Sequence, residues 1–286
     1  LFIEDCKNAV NGFSKYDTIT LNSFNVGSEI ISSGKGWVQN AIYKKNNLHC
    51  SIKTLLSQTL NESEMDYVKK IHNSLKQTDS PFLLKTLTDF TDDNIFFVME
   101  EVPMTKLSTV MNKSMMPIPR IKLYCAEILM AIKACHSCGF THMEINPETI
   151  FVKGNGHLIL LCPIGVGASY NCGFNYLAPE ILEKKDLTEA VDFWSYGILV
   201  FAMSFGEAPF YDPNPSVVCK KVIEGSLTFP YNTFLEAENL VNELIVKDPA
   251  KRNCDIEILK TRSFFHEISF DKLQKGELAA DRKSVV

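Results

Sequence analysis

The sequence predicts an α+β fold with two lobes, a small strand-rich lobe followed by a larger helical one. Residues 24–56 alternate short apolar runs with Gly and Asn turns, which is typical of consecutive β-strands. After Val102 the pattern changes to long amphipathic stretches, which is typical of packed helices. These observations predict an N-terminal helical extension, a strand-rich lobe, a helical lobe and a C-terminal tail, at residues 1–22, 23–102, 103–275 and 276–286.

Each predicted element follows from the spacing of its apolar residues. Phe2, Ile3, Cys6, Val10 and Phe13 recur at roughly helical spacing, so we expect a short amphipathic helix over residues 1–18. The remaining elements of the first lobe are strands at about 24–31, 37–44 and 48–54, a helix over 60–77 and a buried strand over 95–99. The second lobe has predicted helices at about 119–138, 188–204, 214–224 and 235–246.

Composition excludes several classes of protein. The 286 residues carry a net charge of −5, and their Lys and Arg residues are scattered, which argues against a nucleic-acid partner. No apolar run approaches the roughly 20 residues that span a bilayer, so we expect no membrane insertion. The nine cysteines have irregular spacing and are interpreted as reduced thiols of a cytoplasmic protein. Cys135-x-x-Cys138 has no second Cys or His pair, so no metal site is predicted.

Six motifs carry a resemblance to a known family. They occur at His49–Lys53, Met99–Val102, Gly139–Phe151, Tyr176–Glu180, Asp192–Gly197 and Lys247–Arg252. In this order they resemble the protein kinase family over nearly the whole chain. The C-terminal run from Ser263 to Leu273 resembles the cyclic-nucleotide-dependent and S6-kinase-like group. The resemblance implies the two-lobe kinase fold.

Structural residues of the kinase family are present. By the resemblance, Asp192 holds the backbone of the catalytic loop, and Glu180 pairs with Arg252 inside the helical lobe. Lys53 occupies the position of the phosphate-contacting lysine, and Met99 occupies the gatekeeper position. The resemblance therefore implies that the scaffold of the family is kept.

The departures from the family pattern lie where charge must be handled during phosphoryl transfer. In the catalytic loop, Met143 replaces the arginine, Glu144 the catalytic aspartate and Asn146 the lysine. Thr149 and Cys162 stand at the two magnesium-ligand positions, where neither supplies a carboxylate or amide oxygen. A one-residue shift that aligns Pro163 with the second aspartate leaves that aspartate missing as well. We therefore expect no metal ion.

The loop that covers the nucleotide phosphates is also altered. Ser32 replaces the first glycine, Gly34 matches the second, and the third is either Trp37 or a shifted Gly36. Trp37 is either a plug over the nucleotide pocket or a packing residue. The weak remnant of a phosphate site would consist of Gly34 and Lys53.

The partner of Lys53 and the adenine position each allow two interpretations. Lys53 pairs with Glu64 in one register of the following helix, whereas a second register places Val68 there. Phe151 lies at the adenine-floor position, where it either fills the adenine slot with Met99 and Val38 or packs beneath an open pocket.

These substitutions predict that the chain is not an enzyme. The main hypothesis is a pseudokinase, an inactive kinase-like domain that acts as a scaffold or allosteric regulator by binding another protein. No cofactor is expected, and nucleotide binding is predicted to be weak or absent. The alternatives are a nucleotide-binding sensor without turnover and an atypical active protein kinase that uses Glu144.

Overall fold

The computed structural model describes residues 9–10, 12–14, 17–113, 115–163, 174–230 and 234–280. The chain divides into two units. The first contains the described residues before Ser80 together with Leu84–Met104, and the second contains Ser80–Leu83 and the described residues from Thr105 onward. The first unit is built on a β-sheet and the second mainly on helices, which confirms the predicted α+β class. The division falls after Met104, slightly later than the predicted boundary at Val102.

The first unit begins with a hairpin where a helix was predicted. Strands β1 (Ala9–Val10) and β2 (Phe13–Ser14) are antiparallel, with Val10 opposite Phe13. The prediction of a helix is therefore wrong for these residues, and residues 1–8 lie outside the described part. The sequence signal for the hairpin is the dipeptide Asn11-Gly12, because Gly12 adopts a φ of +84° that a tight hairpin turn requires.

A five-stranded antiparallel sheet forms the body of the first unit. Its spatial order is β3-β4-β5-β7-β6, and the buried face of its central strands reads as a run of β-branched and aromatic residues. Phe13, Phe24 and Tyr43 pack together in the core on one side of this sheet. The strand bounds are β3 (Phe24–Ser33), β4 (Gly36–Tyr43), β5 (Leu48–Leu55), β6 (Thr86–Thr91) and β7 (Ile95–Glu100).

Helix α1 (Glu62–Gln77) packs against this sheet. Val68 joins Leu55 and Phe97 in a second core cluster. The helix begins at Asn61, whose side chain accepts a hydrogen bond from the Glu64 backbone N–H, while the Glu64 carboxylate accepts one from the Asn61 N–H. This reciprocal pair is a capping box, and it places Glu64 in the first turn of the helix.

The second unit is mostly helical and contains a small sheet of order β10-β9-β8. Its strands are β8 (Thr105–Lys106), β9 (Ile150–Val152) and β10 (Leu158–Leu160). Its helices are α2 (Leu107–Lys113), α3 (Ile118–Ser137), α4 (Pro179–Leu182), α5 (Ala190–Phe205), α6 (Pro215–Glu224), α7 (Leu235–Leu244), α8 (Ile256–Lys260) and α9 (Phe270–Gln274). Short 3₁₀ turns occur at Leu21–Ser23, Ser57–Thr59, Phe174–Tyr176 and Ser263–Phe265.

Helices α3 and α5 form the core of the second unit. Both are apolar over most of their surface and are buried along most of their length, as expected for central helices. Tyr196 donates from its hydroxyl to the Cys125 carbonyl at 3.0 Å, which satisfies the buried phenol between the two helices. Among the described helices, none combines the length and apolarity that a transmembrane span needs.

Candidate active site

Asp192 holds the segment that resembles the catalytic loop. It lies in the first turn of α5 and is fully buried. Its two carboxylate oxygens accept from the backbone N–H groups of His142, at 2.8 Å, and Met143, at 2.7 Å. Met143 has a φ of +64°, a left-handed conformation that costs a non-glycine residue free energy. The two charge-assisted hydrogen bonds offset that cost and fix the turn before Glu144.

His136 is a further partner of Asp192. Its Nε2 lies 2.8 Å from the Asp192 carboxylate, so this nitrogen donates. His136 lies within the Cys135-x-x-Cys138 segment, for which no metal site was predicted. Among the described residues, no group of three or more His, Cys, Asp or Glu side chains is arranged to hold a metal ion. The sequence signal for a structural role of His136 was its position near the end of a predicted buried helix.

The ring of His142 has one tautomer in this loop. Its Nε2 is 2.7 Å from the Leu161 carbonyl, which can only accept, so Nε2 carries a proton. Its Nδ1 then accepts from the Glu144 backbone N–H at 3.2 Å. This ring therefore connects the residue after β10 to the backbone of Glu144.

Asn146 and Thr149 also hold the backbone at Glu144. The Asn146 amide donates to the Glu144 carbonyl at 2.8 Å, and the Thr149 hydroxyl lies 2.6 Å from the same oxygen. Both side chains are buried, with at most 2% of their surface exposed. The Glu144 side chain itself is buried.

The residues at the family's metal positions do not fit magnesium. Cys162 is a buried thiol, and the hydroxyl of Thr149 is engaged by loop carbonyls. Magnesium prefers carboxylate oxygens and water in octahedral geometry, and neither side chain supplies such a ligand. The segment between Pro163 and Phe174 lies outside the described residues.

Lys53 lies in a buried network in the first unit. Its Nζ is 3.1 Å from His72 Nε2, and His72 Nδ1 is 2.7 Å from the Thr86 hydroxyl. The His72 ring stacks on Phe97 with the ring centroids 3.6 Å apart. The prediction that Glu64 pairs with Lys53 is therefore wrong, as is the alternative of Val68, which is a core residue.

Glu64 binds Lys35 instead. The Lys35 Nζ lies 2.8 Å from the Glu64 carboxylate, and this contact lowers the pKa of Glu64. The capping box explains the error: Asn61-x-x-Glu64 is the signature of a helix start, so Glu64 cannot lie at the middle of α1, where His72 reaches Lys53.

Gly34, in the turn between β3 and β4, and Gly36, the first residue of β4, are the glycines of the phosphate-covering loop. A Cβ on Gly36 would lie 2.0 Å from the Thr54 carbonyl oxygen, so this position requires glycine. A Cβ on Gly34 would meet no atom within 4 Å. Trp37 is half-buried and donates from its indole N–H to the Gln39 side chain at 2.6 Å. Packing therefore accounts for Gly36 and not for Gly34.

Met99, Val38 and Phe151 are all buried. Met99 and Val38 belong to the sheet of the first unit, with Met99 opposite Ser51 and Val38 opposite Lys53. Phe151 lies in β9 of the second unit, opposite Ile159.

Arg252 and Glu180 form a buried pair in the second unit. The guanidinium donates to both carboxylate oxygens, at 2.7 and 3.1 Å. It also donates to the Ala190 carbonyl at 2.6 Å and lies over the Trp194 ring. Such a bidentate pair fixes α4 to the loop after α7.

Comparison with known proteins identifies relatives over most of this chain. Residues 24–265 match the protein kinase domain family. The RAC family serine/threonine-protein kinase homolog of Dictyostelium discoideum is 29% identical over 74% of this chain and 50% of its own length. The cAMP-dependent protein kinase type 3 of Saccharomyces cerevisiae is 28% identical over 78% of this chain and 59% of its own length. The cAMP-dependent protein kinase catalytic subunit of Arthrobotrys oligospora is 29% identical over 96% of this chain and 56% of its own length.

These relatives correct one prediction. Each bears the name of a protein kinase, which contradicts the prediction that the chain is not an enzyme. The resemblance to the cyclic-nucleotide-dependent group is confirmed. The chain spans about half the length of the curated relatives that it matches.

Proposed function

Because the chain belongs to the protein kinase family, we propose that it is an atypical protein kinase that uses Glu144 as its catalytic carboxylate. The donor in this proposal is ATP, and the acceptor is a serine or threonine hydroxyl of a partner protein. The names of its relatives support the reaction class.

The observation that carries the proposal is the arrangement of the loop at Glu144. Asp192 holds the backbone before Glu144, the His142 ring accepts from its N–H, and Asn146 and Thr149 bind its carbonyl. These hydrogen bonds fix the backbone of the loop at Glu144. A fixed backbone restricts the position of the Glu144 carboxylate, as catalysis by positioning requires. The positioning network supports a functional carboxylate at this residue.

The chemical step is a transfer of the γ-phosphoryl group. The acceptor hydroxyl oxygen forms a bond to the γ-phosphorus as the bond from that phosphorus to the β–γ bridging oxygen breaks. The electron pair of the broken bond leaves with ADP, and the hydroxyl proton passes to the Glu144 carboxylate. No step of the proposal uses a metal ion at Thr149 or Cys162, since neither residue fits one.

The altered residues predict a slow enzyme. Glutamate is one methylene longer than aspartate, and a displacement of about 1 Å in a reacting group costs roughly a hundredfold in rate. Asn146 provides no cation for the transferred phosphoryl group, because its amide is uncharged. One of its N–H groups is also already bound to the Glu144 carbonyl. We therefore expect a rate well below the roughly 1–100 s⁻¹ of typical kinases.

A transfer assay with matched variants tests this function. Labelled ATP and a mixed library of Ser and Thr peptides would be incubated with wild-type protein, Glu144→Gln and Glu257→Gln, each with EDTA, magnesium or manganese. Glu257 is a surface residue that binds Lys133 and Lys260, so its substitution controls for a change in charge alone.

We expect incorporation by the wild type and Glu257→Gln, and a loss of about tenfold or more in Glu144→Gln, because an amide cannot accept the proton. Equal incorporation by all three proteins would show a contaminant or a different base. ATP binding without any transfer would replace this proposal with nucleotide binding alone.

A further inference from the structure

Three large apolar side chains of the second unit are exposed to solvent. Met115, Ile118 and Leu235 have exposed fractions of 69%, 49% and 66%. Met115 precedes α3, Ile118 is the first residue of α3, and Leu235 is the first residue of α7. Single exposed apolar residues are common at protein surfaces, whereas a group of them at one place marks a binding surface.

The contact of a buried lysine brings Ile118 and Leu235 to the same region. Ile118 lies one turn before Lys122 on the same face of α3. The Lys122 Nζ is 2.8 Å from the carboxylate of Glu236. Glu236 follows Leu235 in the first turn of α7, so the starts of α3 and α7 meet at this point.

Met115 adds the end of α5 to this region. A Cβ on Gly206, the residue that ends α5, would lie 3.6 Å from the Met115 Sδ. Because Met115 is only three residues before Ile118, the end of α5 lies close to the start of α3. We call the surface formed by Met115, Ile118 and Leu235 the three-helix patch.

Carboxylates dominate the exposed charge at the three-helix patch. The side chains of Glu236 and Glu267 are 40% and 71% exposed, whereas Lys122, which lies 2.8 and 3.8 Å from them, is 8% exposed. Glu238 lies three residues after Leu235, on the same face of α7. A molecule at this surface therefore meets more negative than positive charge.

Glu207 adds a further carboxylate where the fold does not favour one. It directly follows Gly206 at the C-terminal end of α5 and is exposed. The C-terminal end of a helix carries partial negative charge, so a carboxylate there is unfavourable. The charge of Glu207 is thus unfavourable for α5 and favourable for a cationic partner.

These observations select the chemistry of the partner. A second copy of the chain in a twofold contact would place one acidic patch against another, which is repulsive. The patch is built from helix ends, so a bound segment gains side-chain contacts and no β-sheet hydrogen bonds there. A helix with apolar side chains on one face and Lys or Arg beside them matches both the apolar residues and the charge.

We propose that the three-helix patch binds a basic amphipathic helix of a partner protein. The apolar face of that helix covers Met115, Ile118 and Leu235, and its Lys or Arg side chains lie near Glu207 and Glu238. This interaction goes beyond the proposed phosphoryl transfer and does not depend on it.

Fluorescence anisotropy with three labelled peptides of about 15 residues tests the inference. The first peptide has Leu along one helical face and Lys elsewhere, the second has Glu in place of Lys, and the third reorders the first so that no apolar face forms. The protein variants are Leu235→Ser, Ile118→Ser and Glu207→Gln. Their matched controls are Ile258→Ser and Glu257→Gln, because Ile258 is 45% exposed and Glu257 is also a surface residue, both on α8.

We expect the Lys peptide to bind the wild type and both controls alike. Leu235→Ser and Ile118→Ser should each weaken binding by about fivefold or more, because each removes apolar surface that the helix covers. Glu207→Gln should weaken it by about twofold at low salt and by less at high salt, since salt screens exposed charges. The Glu peptide and the reordered peptide should bind about tenfold more weakly than the Lys peptide.

Several results would overturn the inference. Equal binding of the three peptides, or a loss in Ile258→Ser as large as that in Leu235→Ser, would show non-specific binding. A Lys peptide that does not bind would exclude a basic helix. Wild-type dimers in sedimentation that Leu235→Ser dissociates would show that a second copy covers the patch instead. Circular dichroism establishes that each variant is folded, and Ile118→Ser decides if Leu235→Ser is not. The test uses no ATP and no transfer, so its result is independent of the kinase proposal.

Discussion

Arg252 binds Glu180 through two hydrogen bonds, and both side chains are almost completely buried. Substitution of Arg252 by Ala should lower the free energy of unfolding by about 3–5 kcal/mol, because it leaves the Glu180 carboxylate buried without its cation. Chemical denaturation of the two proteins measures this difference.

The matched control is Arg262→Ala. Arg262 also binds a carboxylate, that of Glu243, but both side chains are about a third exposed. Water screens this pair, so its loss should cost about 1 kcal/mol or less. Equal losses in the two variants would show that burial does not set the strength of the Arg252–Glu180 pair.

Gly34 lies in the turn before β4 and Gly36 is the first residue of β4, and only Gly36 should be sensitive to substitution by alanine. In Gly36→Ala the new Cβ would meet the Thr54 carbonyl oxygen at 2.0 Å, so β4 and β5 must separate locally. We expect a loss of about 1–3 kcal/mol or more, as for other overpacked sites. Gly34→Ala should change stability by about 0.5 kcal/mol or less, since nothing lies within 4 Å of its Cβ. Thermal unfolding of both variants distinguishes these outcomes, and a destabilised Gly34→Ala would contradict the expectation.

The sequence predicted long elements better than short ones. Helix α5 spans Ala190–Phe205, close to the predicted 188–204, because a long apolar run between polar ends is a strong signal. The strands β1 and β2 are only two residues each, and their apolar residues fit a helix equally well. Gly12 decided between the two structures through its backbone conformation, which periodicity does not measure.

Some residues of the candidate site could likewise be predicted from the sequence, and others could not. Asp192 stands in a motif with fixed spacing, so its position near the loop at His142 could be predicted from the sequence. His72 could not, because its role depends on which turn of α1 faces β5. That register is set by the capping box at Asn61 and Glu64 and by the packing of Val68. A histidine in an amphipathic helix gives no signal of its own.

His157 should make stability depend on pH near neutrality. Its hydrogen bond to the buried Glu127 carboxylate raises the pKa of His157 above the usual 6.5. The folded state therefore holds this proton more tightly than the unfolded state, so the contact stabilises the fold below about pH 6.5 and loses this contribution as the pH rises through the folded pKa.

We expect His157→Gln to be less stable than the wild type at pH 5.5, with a smaller difference at pH 8.5. Urea denaturation at the two pH values measures it. A difference that grows with pH would contradict the assigned direction.

His72 should have the opposite effect. Its folded pKa lies well below 6.5, because burial and the charge of Lys53 oppose protonation. As the pH falls below about 6.5, the unfolded chain binds a proton at this histidine while the folded chain does not. His72 therefore makes the free energy of unfolding fall by up to about 1.4 kcal/mol per pH unit in this range.

The variant His72→Gln removes this proton from the unfolded state and keeps an acceptor for Lys53. Urea denaturation between pH 6.5 and 4.5 should show that wild-type stability falls more steeply than that of the variant. In the described structure His72 contacts Lys53 on β5, the Thr86 hydroxyl and the Phe97 ring, and the charge of Lys76 on its own helix also opposes protonation. Parallel curves for the two proteins would mean that His72 takes up its proton in the folded state.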